Sequence, residues 1–144
     1  MLNFLTGHKL DCVLVAAVAG TSDLTTASVD LSGYEWAVFF TRLGTAAANN
    51  LMHAEASSDD GVADGWSDLA GTATPLAGAS DEILALEIVQ PEKRYARVVI
   101  ARGTSSTGGD VYCIRGAGRR LPIDNVVAGT LAGSIVQSPI EGTP

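Results

Sequence analysis

Few side chains in this chain of 144 residues have the chemistry that catalysis or metal binding requires. The chain contains only two histidines, His8 and His53, and only two cysteines, Cys12 and Cys113. No CxxC motif or Cys/His cluster is present, so we expect reduced, buried thiols and no zinc site. One disulfide between the two cysteines is the alternative. His53 has no second ligand near it in the sequence, and we predict a structural role for it.

An acidic loop offers the other candidate chemistry. Asp59, Asp60 and Asp64 with Gly61 resemble part of a calcium-binding loop, but the EF-hand spacing and its closing Glu are missing. The glycine-rich run 103–109 lacks the Lys of a phosphate-binding loop. No GxSxG, HExxH, Walker or Rossmann signature occurs. The sequence therefore predicts a protein that is not an enzyme and that uses no metal and no cofactor.

Composition restricts the partners. A net charge of −7 makes free nucleic acid an unsuitable partner, because neutralising phosphates requires an excess of Lys and Arg. No segment approaches the ~20 apolar residues of a membrane span. The charges are uneven, since seven of the nine basic residues lie within 93–120. The acidic run consists of Glu55, Asp59, Asp60, Asp64 and Asp68. These regions are either two solvated areas of opposite sign, or contacts between one copy and its neighbour.

The elements that must position these residues are strands. Alternating apolar and polar residues predict strands at 10–19, 24–31, 34–43, 51–57, 82–89, 94–102 and 110–115. The last three are expected to form a meander at the centre of one sheet. We expect 34–43 to pair with 51–57, and 24–31 to be an edge strand. The sequence thus predicts an all-β, single-domain antiparallel β-sandwich over 1–120, with a jelly roll as one candidate arrangement, and an extended C-terminal arm over 121–144.

The strand at 34–43 is apolar on both faces. Trp36, Val38 and Phe40 share one face, and Phe39 and Leu43 lie on the other. Two apolar faces are typical of a strand between layers, or of one whose second face is buried by a neighbouring subunit. We predict that Trp36 belongs to the core.

Protein contact is the function class that these features favour. Arg97 lies on a half-polar strand face, which suits an Arg that stacks and pairs at an interface; the alternative is an exposed Arg paired with a cross-strand acid such as Glu87. The arm 121–144 could extend over a neighbour and add a strand to its sheet. The predicted interface residues are Arg94, Arg97, Arg102, Arg119, Arg120, Leu121, Ile135 and Ile140.

Several runs of sequence carry a family resemblance. They are VAAVAGTSDL, DLSGYEWAVFF, ASSDDG, QPEKRYARVVIARGT and the closing SPIEGTP. In these runs the chain resembles small structural proteins of tailed bacteriophages. The resemblance implies a virion component on the outer surface of the phage head, namely a decoration (cement) protein. Such proteins bind the major capsid protein and are often β-rich homotrimers. A tail or neck protein, or a glycan-binding β-sandwich on the virion, is the alternative.

Overall fold

A computed structural model describes residues 4–45, 49–76, 82–103 and 105–119. A short helix, α1 (Phe4–Gly7), precedes the strands. The strands are β1 (Lys9–Leu14), β2 (Ala17–Gly20), β3 (Leu24–Thr25), β4 (Val29–Asp30), β5 (Trp36–Arg42), β6 (Asn50–Ser57), β7 (Ser67–Asp68), β8 (Thr74–Leu76), β9 (Ile83–Val89), β10 (Tyr95–Ala101), β11 (Ser106–Gly108) and β12 (Val111–Gly116). The predicted arm, 121–144, lies outside the described residues.

The strands form two main antiparallel sheets that pack face to face. One sheet has four strands in the order β1-β12-β5-β9. The other has six strands, in which β3-β10-β6-β7 is the main path, β4 pairs with β10 and β8 pairs with β6. A small third sheet joins β11 to β2. The predicted all-β, single-domain antiparallel sandwich is confirmed.

The core lies between the two main sheets, where alternate residues of the longer strands point inward. Phe39 of β5 and Val111 of β12 are fully buried from the four-stranded side. Met52 of β6 and Ile100 of β10 are fully buried from the six-stranded side. Along β9, buried and exposed residues alternate without interruption. This alternation explains why the strands could be recognised from sequence.

The predicted meander is wrong. β9 and β12 belong to the four-stranded sheet, whereas β10 belongs to the six-stranded sheet. The chain crosses between the sheets just after β9, where Gln90 adopts a φ of 51° and its amide donates to the Glu35 carbonyl at 2.7 Å. A short turn of this kind looks like a hairpin in sequence, because local alternation does not reveal which sheet receives the next strand.

Two other strand predictions also required correction. β5 pairs with β12 and β9, and β6 pairs with β10, so 34–43 does not pair with 51–57. The predicted strand 10–19 is divided into β1 and β2, and Asp110 accepts the Ala16 amide at the break, at 2.7 Å.

The predicted edge strand 24–31 does lie at an edge. It forms two short pieces, β3 and β4, on the outer side of β10. Between them the Thr26 hydroxyl accepts the Val98 amide at 3.1 Å, in place of a backbone carbonyl. Among the described residues no helix is long and apolar enough to cross a membrane.

Candidate protein interface

The outer face of the four-stranded sheet carries apolar side chains across all four strands. The strand register aligns Tyr112, Phe40 and Ala85 in one row, and Ile114 and Val38 in the next. We call this surface the apolar face. It consists of Leu10, Cys12, Trp36, Val38, Phe40, Ile83, Ala85, Val89, Tyr112 and Ile114, interrupted by Glu87 and Arg42.

Much of this surface is open to solvent. Ile83 is 70% exposed, Val89 is 61% exposed and Tyr112 is 42% exposed. A shallow groove of about 290 Å³ lies at one end of the apolar face, lined by Phe40, Arg42, Ile83 and Tyr112 among others. Contiguous exposed apolar surface of this kind typically marks an interaction site in a soluble protein.

Trp36 lies at the opposite end of the apolar face, and its prediction as a core residue is wrong. The buried side of β5 carries Ala37 and Phe39 instead, while Trp36 is half-buried on the outer side. His8, the residue after α1, packs against it with ring centroids 5.5 Å apart. Gly116 lies so close beneath the indole that a Cβ there would collide with the ring. The glycine therefore allows Trp36 to lie flat across β12.

The outer face of the six-stranded sheet is polar at its centre. The Arg97 Nε donates to Oε2 of Glu55 at 2.6 Å, and its guanidinium lies 4.3 Å from the centroid of the Trp66 ring. Beside this pair, the His53 Nε2 lies 3.3 Å from Oδ1 of Asp68. The predicted cross-strand acid for Arg97 is therefore present, but it is Glu55, since Glu87 lies in the other sheet.

The acidic and basic regions meet within one chain. Lys93 Nζ lies 2.8 Å from Asp64, and Arg94 Nη2 lies 2.7 Å from Asp30. The donated hydrogen bond from Lys93, together with the Ser58 amide, lowers the pKa of Asp64 to about 2. The two regions are therefore not separate solvated areas, and a contact with a neighbouring copy stays a prediction.

In the loop that resembles a calcium site, carboxylates accept hydrogen bonds from backbone amides of the same loop. Asp59 accepts the backbone amides of Val62, Ala63 and Asp64 at distances between 2.7 and 3.2 Å. These hydrogen bonds, of which that from Ala63 is the strongest, lower the pKa of Asp59. The position of Asp59 is thus explained by the tight loop, because the backbone amides of the loop need hydrogen-bond acceptors.

The structure distributes the predicted interface residues over separate places. Arg94 is exposed and Arg97 is half-buried on the six-stranded sheet, whereas Arg119 is exposed after β12, where its amide donates to the Gly33 carbonyl at 2.9 Å. Arg102 is only 9% exposed. Arg120, Leu121, Ile135 and Ile140 lie outside the described residues. A role in binding stays a prediction for all of them.

Arg102 holds together three parts of the chain. Its Nε donates to the Ser22 carbonyl at 2.6 Å, and its Nη1 donates to the carbonyls of Val18 at 2.8 Å and Ser106 at 2.9 Å. Gly20 lies against the same guanidinium. These contacts assign Arg102 to the folding of the β2 and β11 region.

The two cysteines are free. Cys12 is exposed on the apolar face opposite Tyr112, and Cys113 is buried opposite Asp11. The expectation of buried thiols is therefore confirmed for Cys113 and wrong for Cys12. Neighbouring positions on a strand point to opposite faces, so this register separates the two thiols. The alternative of a disulfide between them is therefore wrong. Burial raises the pKa of Cys113 to about 12.

Sequence reasoning indicated an outer apolar face only for 34–43, as one of two alternatives, and it missed the extent of this face over the other three strands and the position of Asp68. The double-sided apolar pattern of 34–43 was the available signal for the first. Asp68 had no signal, because its strand, β7, is two residues long. Comparisons of the chain with protein-family models, with curated proteins and with solved structures gave no match.

Proposed function

We propose that this protein is a non-enzymatic structural component that docks on a protein lattice through its apolar face. The lattice would be the major capsid protein of a tailed phage, which makes the chain a head decoration protein on the outer surface of the virion. The apolar face is the observation that carries this proposal. The phage identity of the partner rests on the sequence resemblance.

The size of the apolar face bears on how it would bind. Four strands about 4.8 Å apart and seven residues long, at about 3.3 Å per residue, cover roughly 400 Å². A stable interface typically buries about 800 Å² on each partner. One copy would thus bind weakly through this face alone. Several linked copies on a repeating lattice would bind firmly through avidity, which supports a homo-oligomer such as a trimer.

The interactions of the acidic loop side chains support a non-enzymatic role. Paired carboxylates that act as acid and base need separated pKa values in a sheltered cleft. Here Asp59 and Asp64 both have lowered pKa values, and both are occupied by loop amides or Lys93. Their arrangement serves the loop.

Co-sedimentation with expanded, undecorated capsid shells tests the proposal. The wild-type chain should bind until it saturates at a fixed ratio to capsid subunits. A variant with Ile83→Lys and Val89→Lys places two charges on the apolar face and should weaken binding at least tenfold. The matched control carries Val18→Lys and Val62→Lys, at valines that are 87% and 85% exposed outside that face, and it should bind like wild type.

The outcomes separate the two parts of the proposal. If the Ile83→Lys, Val89→Lys variant keeps its β-sheet circular dichroism and still binds fully, the apolar face is not the docking surface. If the wild-type chain does not bind shells at all, the capsid proposal fails. Binding to purified tail or neck assemblies, or to a glycan array, would then identify the alternative role.

A further inference from the structure

A histidine and two carboxylates converge on the outer face of the six-stranded sheet. His53 and Glu55 are two residues apart on β6, so both side chains point outward. Asp68 on β7 lies directly opposite Glu55 in the strand register. One ligand atom from each of the three residues lies within 4.8 Å of the other two.

We propose that His53, Glu55 and Asp68 bind one divalent transition-metal ion, and that Zn²⁺ is the best match. The three residues supply one imidazole nitrogen and two carboxylate oxygens. Imidazole and carboxylate ligands suit Zn²⁺, whereas Ca²⁺ takes six to eight oxygens. Three protein ligands leave the fourth tetrahedral position for water, and Asp68, whose side chain is 75% exposed, keeps that side open.

The distances agree with this coordination. Bonds of about 2.0–2.2 Å in a tetrahedron place neighbouring ligand atoms about 3.4 Å apart. The His53 Nε2 and the Asp68 Oδ1 are already 3.3 Å apart. All three ligand atoms lie within 4.8 Å of one another, so no pair has to close by more than about 1.4 Å.

The charges around the cluster also favour a cation. Carboxylates placed directly opposite each other on neighbouring strands repel, as Glu55 and Asp68 do here. Arg97 neutralises Glu55 by a hydrogen bond to Oε2, and the Trp66 ring packs against the Arg97 guanidinium. An outer hydrogen-bonding partner of this kind orients a ligating carboxylate. Arg97 is thus the positioning residue of the site.

The ion would have a mechanical effect. β7 consists of two exposed residues, Ser67 and Asp68, and it is the only described strand between β6 and β8 in the chain. A metal bond to Asp68 would tie this connection to β6. Because the ion binds only the folded arrangement, the unfolding midpoint should rise with the logarithm of the free zinc concentration.

Isothermal titration of the full chain with ZnCl₂ tests the site. Cys12→Ser is used as the background, since it removes the exposed thiol as a competing ligand. We expect one ion per chain, and at least tenfold weaker binding in His53→Gln and in Asp68→Asn. His8→Gln and Asp60→Asn are the matched controls, and both should bind like the background.

Cobalt binding provides a second, spectroscopic measurement that is independent of the calorimetry. Co²⁺ bound in a tetrahedral nitrogen and oxygen site absorbs visible light, and this band should vanish in His53→Gln. No binding by the Cys12→Ser chain would overturn the proposal. Zinc binding that persists in both His53→Gln and Asp68→Asn, or that is lost in His8→Gln, would place the ion elsewhere and would also overturn it. Circular dichroism of each variant checks that it is folded.

Discussion

Replacing Arg102 should destabilise the fold more than any other change of an arginine on the six-stranded sheet. Its guanidinium bonds three carbonyls at 2.6 to 2.9 Å, from residues that are 80, 84 and 4 positions away in the chain. The change Arg102→Met keeps a long apolar stem and removes every one of these bonds. A methionine has no donor, so the carbonyls must find other partners.

The size of the loss follows from where those carbonyls lie. A hydrogen bond from a charged donor contributes about 1.5–3 kcal/mol, so three bonds set an upper range of about 4.5–9 kcal/mol. Val18 and Ser22 are exposed, and water can replace Arg102 there, whereas Ser106 is fully buried. We therefore expect a net loss of about 3 kcal/mol, mostly from the bond to the buried Ser106, which water cannot readily replace.

Thermal and urea unfolding measure this loss. An unfolding entropy of about 2.1 cal/mol/K per residue gives roughly 0.3 kcal/mol/K for this chain, so Tm should fall by about 10 °C. Arg102→Lys keeps the charge but not the planar guanidinium, so its Tm should lie between those of wild type and Arg102→Met. Arg94→Met is the control, since its pair with Asp30 is exposed and should hardly affect Tm. An Arg102→Met chain that melts within 2–3 °C of wild type, about 1 kcal/mol, would refute the assigned role.

Three further predictions concern other parts of the fold. Gly116→Ala should push Trp36 outward, cost about 1–3 kcal/mol in urea unfolding and shift the tryptophan emission to longer wavelength; unchanged emission would contradict the packing. Because the pKa of Asp64 falls from 3.8 to about 2 in the folded chain, its stabilising effect is complete above pH 4 and is lost towards pH 2; Asp64→Asn should flatten the decline of Tm in that window. A thiol reagent should label Cys12 in the native chain and Cys113 only in urea; two labels in the native chain would contradict the burial.

The strands themselves were predictable because their signal is local. Alternation at 51–57 and 82–89 corresponds to β6 and β9 within one residue at each end. Assignment to sheets was not predictable in the same way. In a sandwich both sheets bury one face, so β9 and β10 show the same alternation although they lie in different sheets. Only contacts between distant segments distinguish a hairpin from a crossing.

The direction of β5 shows a second limit. Its Trp36 face is the more aromatic, and hydrophobicity alone places it inward. The structure buries Ala37 and Phe39 instead and leaves Trp36 on the outer side. The excess of apolar residues on β5 was visible from sequence, and its meaning as an outer surface required the positions of β12 and β9.

Side-chain pairs were the least predictable features. Arg97 and Glu55 are 42 positions apart, and Lys93 and Asp64 are 29 positions apart. Nothing in their local spacing indicates a pair. The first depends on the register of β10 against β6, and the second on how the loop between β6 and β7 folds. The same holds for Asp68, which reaches His53 only after β7 has paired with β6.

The two outer faces of the sandwich differ in chemistry, since one is apolar and the other carries charged side chains. They point in opposite directions, because the two sheets bury their inner faces against each other. One carries the apolar face, and the other carries Arg97, Glu55, His53 and Asp68. A chain that docks through the apolar face must therefore present the charged side to solvent. With a net charge of −7, copies arrayed on a particle in this orientation would repel other particles, which favours dispersal of the particles over aggregation.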